Sequence, residues 1–152
     1  MNINIKMLNE FAKLPTKGSK DSAGYDLYAA VNYDIEIQPH STQMIDIGIS
    51  IEIPKGYFGG IYARSGLASK QSLRPANCVG VIDSDYRGPI MVALHNDSMY
   101  TQRIKAGDRI AQLIVQPYLN FDFNVVDELT DTDRGEAGFG STGNWHKKRS
   151  PS

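Results

Sequence analysis

Five isoleucines fall at every second position, Ile45, Ile47, Ile49, Ile51 and Ile53, alternating with Asp46, Gly48, Ser50 and Glu52. Side chains two apart on an extended strand share a face, so this spacing buries one row and leaves the other to water. A helical period of 3.6 would scatter the five residues around the axis. The same period of two recurs at Ile35 and Ile37, and at Ile90, Val92 and Leu94, with Met91, Ala93 and His95 on the other face. Phe121, Phe123 and Val125 form a further alternating set, and Ile110 to Val115, broken only by Gln112, reads as a strand more fully buried. Turn residues separate these runs: Pro39-His40-Ser41, Pro54-Lys55-Gly56, Gly59-Gly60, Arg87-Gly88-Pro89 and Lys105-Ala106-Gly107-Asp108. Short strands so spaced favour an all-β sandwich or barrel. The expected helix content is one short segment from about Ser65 to Ser72, where Leu67, Ala68 and Lys70 are good helix formers.

At 152 residues the chain makes one domain, able to bury roughly two-thirds of its unfolded surface. Its formal net charge of -1 gives no general attraction to nucleic acid or to a membrane. No apolar run approaches the roughly 20 residues of a membrane span, and the N-terminus has no basic flank leading into an apolar stretch. Cys78 stands alone, so no internal disulfide forms, and its setting in Asn77-Cys78-Val79 suggests a small buried apolar residue. These features describe a soluble, intracellular domain, expected in the cytoplasm. His40, His95 and His146 lie far apart and none pairs at metal-ligand spacing.

The composition changes after Leu129. Arg134-Gly135-Glu136-Ala137-Gly138-Phe139-Gly140-Ser141-Thr142-Gly143 is too rich in glycine to form a core strand cheaply. A β-domain over 1–129 followed by a mobile arm over 130–152 is therefore expected. The arm carries an arginine, an aromatic ring and two adjacent hydroxyls, a set suited to closing over a polyphosphate and stacking on a planar ligand. The lysine of a Walker A loop is missing.

Four other segments carry chemistry. Gly80-Val81-Ile82-Asp83-Ser84-Asp85-Tyr86-Arg87-Gly88 places two carboxylates after a short apolar run, beside a ring. An acid held at such a strand edge can act as a general base, while Asp-Ser-Asp is equally a solvated turn. Arg64-Ser65-Gly66 supplies a cation, a hydroxyl and a glycine where the short helix begins, which suits either phosphate binding or simple capping by Ser65. Ala23-Gly24-Tyr25-Asp26 starts a strand with an acid inside it. Gln112 interrupts the apolar run that follows Gly107-Asp108-Arg109, and its amide needs a partner there, structural or ligand.

In this order and at these separations, AGYDLYA from Ala23, ARSGLAS from Ala63, GVIDSDYRG from Gly80, GDRIAQLIV from Gly107 and RGEAGFGSTG from Arg134 resemble the five motifs of the trimeric dUTP pyrophosphatases. The resemblance spans nearly the whole chain. It implies a distorted jelly-roll-like β-barrel, a homotrimer with shared active sites, and Mg2+-assisted hydrolysis of dUTP to dUMP and pyrophosphate. Asp83 matches the acid that activates the attacking water, and Tyr86 the ring under the deoxyribose. Asn77, with backbone from Val81 through Ile82 to Asp83 and at Met91, matches the uracil-reading set. Arg64, Ser65, Gly66 and Gln112 match phosphate contacts, and Asp26 an acid that supports the metal-bound phosphates through water. Arg134, Phe139, Gly140, Ser141 and Thr142 match a C-terminal lid. The chain departs from the family pattern at Ala63, where many relatives have proline, at Pro89, where a polar residue is usual, and in its longer basic end through Lys147, Lys148 and Arg149. A dCTP deaminase, or a dUTPase-like nucleotide-sensing protein, are the alternative readings of the same fold.

Overall fold

The computed structural model describes residues 2–136 and Gly138. In chain order its elements are β1 (Asn4–Met7), β2 (Thr16–Lys17), β3 (Tyr25–Tyr28), β4 (Ile35–Ile37), β5 (Thr42–Asp46), β6 (Ile49–Glu52) and β7 (Tyr57–Tyr62). Then follow the helix α1 (Ser65–Gln71), β8 (Leu73–Pro75), β9 (Gly80–Ile82), β10 (Met91–Asn96), β11 (Gln102–Ile104) and β12 (Arg109–Pro117). The fold is the expected all-β one with a single short helix among the described residues. No helix among them is long and apolar enough to cross a membrane.

The largest sheet runs β2-β3-β12-β7-β9, and every pair in it is antiparallel. A second sheet runs β5-β10-β8, and two ribbons, β1-β6 and β11-β4, complete the framework. Between them lies one apolar core that includes Leu27, Ile37, Ile61, Leu73, Val92, Leu94, Ile104 and Ile110. All five alternating isoleucines, Ile45 to Ile53, belong to it.

The isoleucine row is continuous, but its strand is not. Gly48 has φ +70, and its N–H donates to Asp46 Oδ1 at 2.7 Å, which turns the chain between β5 and β6. A Cβ there would stand 2.7 Å from Ala30 Cβ and 2.8 Å from Ala12 Cβ, so only glycine fits. The row thus serves two sheets, with β5 pairing β10 and β6 pairing β1.

Two expectations fail. Cys78 is exposed, in the left-handed region at φ 59, because it sits on the turn joining β8 to β9 rather than inside a strand. Phe121, Phe123 and Val125 form no strand and are 67%, 89% and 95% exposed. Alternation marks a segment fit for a sheet, but a strand needs a neighbour to hydrogen-bond with. The chain divides into a first unit, Met1–Asn120, and a second, Phe121–Ser152. In the second unit the rings of Phe121 and Phe123 meet edge to face, with centroids 5.2 Å apart.

Candidate active site

The Asp83 segment forms the turn that its Asp-Ser-Asp sequence suggests. β9 ends at Ile82, whose side chain is 6% exposed and anchors the strand in the core, while Val81 before it points outward. Asp83 follows on the outer side and opens a turn closed by Tyr86 N–H donating to Asp83 O at 3.2 Å. With Lys55, Gly56, Tyr118 and Asn120 it lines a groove of about 550 Å3. Tyr86 is fixed at both ends. Its hydroxyl donates to Pro89 O at 3.0 Å, and its ring covers Gly88 so closely that a Cβ at that glycine would run into it.

Asn77 lies on the turn before β9 and is exposed. A Cβ at Gly80 would be 3.1 Å from Asn77 Nδ2 and 3.3 Å from Ile61 Cβ, so glycine there gives the amide room against the strand. Met91, half-buried, opens β10 opposite Asp46.

A second cluster forms where β3, β12 and β7 run side by side. Gln112 stands between Asp26 on β3 and Tyr62 on β7. Its Nε2 donates to Ala63 O at 2.9 Å, so the glutamine's partner is the backbone just before Arg64. Gly24 leaves the space that Gln112 Oε1 occupies. Arg64 Nε donates to Asp26 Oδ1 at 2.8 Å, Arg109 NH1 reaches Asp26 Oδ2 at 3.1 Å, and Arg64 NH1 reaches Arg109 O at 3.1 Å. Asp26 is 9% exposed, and a carboxylate so far from water needs such partners.

Ser65 and Gly66 form the first turn of α1. Arg64 occupies the N-cap with extended backbone and no side-chain cap bond. The capping alternative for Ser65 is therefore not what the helix uses. Gly66 faces open space, since a Cβ there would meet nothing within 4 Å. In the second unit, Arg134 is exposed, beside a turn in which Gly135 N–H donates to Thr132 O at 3.0 Å. Phe139, Gly140, Ser141 and Thr142 lie outside the described residues.

The chain brings Asp26, Arg64 and Gln112 together, and it places Asn77, Asp83 and Tyr86 on the turns that flank β9. Sequence reasoning missed Arg109, which opens β12 opposite Tyr28 of β3. It also missed Arg87, whose NH1 donates to Ser84 O at 2.7 Å and to Tyr86 O at 3.0 Å. Backbone acceptors leave no trace in side-chain patterns.

The profile of the dUTPase family matches residues 10–143. The chain belongs to the dUTPase family. Among dUTPases similar to it is the deoxyuridine 5'-triphosphate nucleotidohydrolase of Yarrowia lipolytica, 44% identical over 152 residues, covering 98% of this chain and 94% of that protein. The enzyme of the same name from Arabidopsis thaliana is 47% identical over 139 residues, covering 91% and 81%. Among solved dUTPase structures, that of Staphylococcus bacteriophage 80alpha with dUpNHpp superposes with a TM-score of 0.86 at 29% identity, covering 94% of this chain and 99% of that one. A mutant dUTPase from phage phi11 of S. aureus, described with a structural Mg(II) ion, gives 0.76 at 26% identity over 84% and 98%.

Proposed function

We infer that this chain hydrolyses dUTP to dUMP and pyrophosphate in sites shared between the copies of a homotrimer. One observation carries the sharing. β9 runs antiparallel to β7 with Ile82 opposite Gly59, so Asp83 falls beside Phe58 near the start of β7, while Arg64 follows its far end. Five residues from Gly59 to Arg64 at about 3.3 Å each separate the two backbones by about 16 Å along the strand direction within one chain. A water on the α-phosphorus and the phosphates beside it need both groups within a few ångströms. A second copy supplies the missing half, and the exposed Phe121, Phe123 and Val125 mark a surface that association would cover.

In this reading Asp83 orients a water and takes its proton as the oxygen attacks the α-phosphorus; the bond to the bridging oxygen breaks and pyrophosphate leaves. The work is mostly positioning and charge compensation. Arg64, the Ser65 hydroxyl, the Gly66 N–H and the second N–H of Gln112 face the phosphates. The Asn77 amide and the backbone from Val81 to Asp83 and at Met91 read uracil; Ile82 contributes main chain alone, since its side chain is in the core. The Tyr86 ring lies under the deoxyribose, where a 2′-hydroxyl would collide with it. Arg134, Phe139, Gly140, Ser141 and Thr142 close over base and γ-phosphate as a lid within the 130–152 arm.

Among the described residues no group of three histidine, cysteine, aspartate or glutamate side chains is placed to hold a metal. Mg2+ would be held mainly by the oxygens of the triphosphate and by waters, and would supply charge neutralisation there. Asp26 fits an indirect role, because carboxylate oxygens already bonded to arginine keep lone pairs for a metal-bound water. The enzyme belongs to nucleotide metabolism in the cytoplasm, lowering dUTP and supplying dUMP.

Pyrophosphate release measured on dUTP, dCTP, dTTP and UTP, with and without Mg2+, tests the proposal. Turnover of dUTP far above the other three, dependent on Mg2+, is expected. Ammonia release from dCTP would move the chain to the deaminase reading.

A further inference from the structure

We propose that Arg87 is a positioning residue for this reaction, fixing Asp83 and Tyr86 in one mutual geometry while Glu52 on β6 fixes Arg87. The inference rests on the dUTP reading above. The segment from Asp83 to Ile90 crosses between sheets, from β9, which pairs β7, to β10, which pairs β5 and β8. It carries two groups that must be placed to a fraction of an ångström, yet up to Pro89 it lies outside the ladders, and Ile90 then donates to Ile49 O at 2.9 Å.

Side chains from β6 supply what the ladders do not. Ile49 and Ile51 face the core, so Ser50 and Glu52 share the outer face. Ser50 Oγ donates to Gly88 O at 2.9 Å. Glu52 Oε1 lies 3.5 Å from Arg87 NH2, and Glu52 Oε2 accepts from Asn4 Nδ2 at 2.7 Å, across the Asn4–Glu52 pair of β1 and β6. Arg87 NH1 then bridges two carbonyls of the turn, at Ser84 and Tyr86, which flank Asp85. A planar guanidinium fixes the relative direction of those two carbonyls, and hence of the side chains on either side, in a way that a flexible ammonium cannot.

Arg87 and Glu52 are 52% and 50% exposed in their side chains. An ion pair so exposed adds little to stability. Its effect is therefore on geometry, and it should appear in kinetics rather than in melting temperature.

Arg87→Ala, Arg87→Lys and Glu52→Ala are compared with the wild type for kcat and KM on dUTP and UTP, for melting temperature, and for hydrogen exchange at the Tyr86 amide. Arg87→Ala is expected to lower kcat/KM for dUTP by about tenfold to a hundredfold. It should also narrow the dUTP/UTP ratio, speed exchange at Tyr86 and melt close to the wild type. Arg87→Lys should recover part of the ratio, and Glu52→Ala should shift it less, in the same direction. An unchanged dUTP/UTP ratio in Arg87→Ala overturns the proposal, including when the melting temperature falls, because Arg87 is then merely structural. A wild type that does not hydrolyse dUTP refutes the reading underneath; unchanged exchange at Tyr86 refutes the bracing itself, independently of catalysis.

Discussion

Asp83→Asn keeps the size of a side chain and removes its basicity, so it separates chemistry from binding. If Asp83 takes the proton, kcat should fall by about 10²–10⁴-fold, while a non-hydrolysable dUTP analogue, followed by calorimetry, binds within a few-fold of the wild type. Asp26 tests the other cluster. Its loss leaves Arg64 and Arg109 facing each other without the carboxylate between them. Asp26→Ala should cost about 2–3 kcal/mol in denaturant unfolding, less than a fully buried pair because Arg109 is half in water. At this scale the sequence identified residue types and missed orientations. Gln112 announced itself as a polar break in an apolar run, and its partner proved to be the Ala63 carbonyl. Cys78 looked apolar by its neighbours, yet a left-handed turn put it at the surface.

Period-two alternation located the strands around Ile35 to Ile37 and Ile90 to Leu94, and the apolar run located Ile110 to Val115, because burial of a face is a local property of the chain. It did not show that the isoleucine row is cut at Gly48, since the face continues across the break. Gly48→Ala should cost about 2 kcal/mol through its positive φ and its contacts with Ala30 and Ala12, lowering the melting temperature by roughly 4–8 °C in calorimetry. The Phe121 to Val125 alternation did not become a strand, and none of the strands among the described residues pairs with it. Between β8 and the end of β10, Arg74 grips Asp97 with bonds of 2.6 and 3.1 Å. That hydrogen bond, assisted by the guanidinium charge, holds the Asp97 carboxyl below its ordinary value of 3.8. A depressed folded-state value gives stability that is present above the unfolded value and lost as pH falls through the folded one. Acid unfolding below about pH 4 should accordingly be less steep in Asp97→Asn than in the wild type, by circular dichroism across a pH series.

The proposed assembly makes two predictions, one from sites split between copies and one from the lid. Asp83→Asn and Arg64→Ala, each inactive alone, should regain activity when unfolded and refolded together. Random assortment leaves about a quarter of the shared sites with both groups intact, so recovery toward that fraction is expected. No recovery would confine the site to one copy. Truncation after Leu129 should leave a folded assembly by light scattering with little turnover. The resemblance implied shared sites, and the ends of β7 give that expectation a physical reason, because a sequence shows which motifs exist and not which of them a single copy can bring together. The exposed rings at Phe121 and Phe123 bear on a newly made chain as well as on the finished enzyme. In the proposed assembly those rings stay in water until copies meet, and the waiting time lengthens as the protein becomes scarcer. Dilution and weak expression are thus the conditions in which this chain is most open to proteases and to clumping with the wrong neighbours.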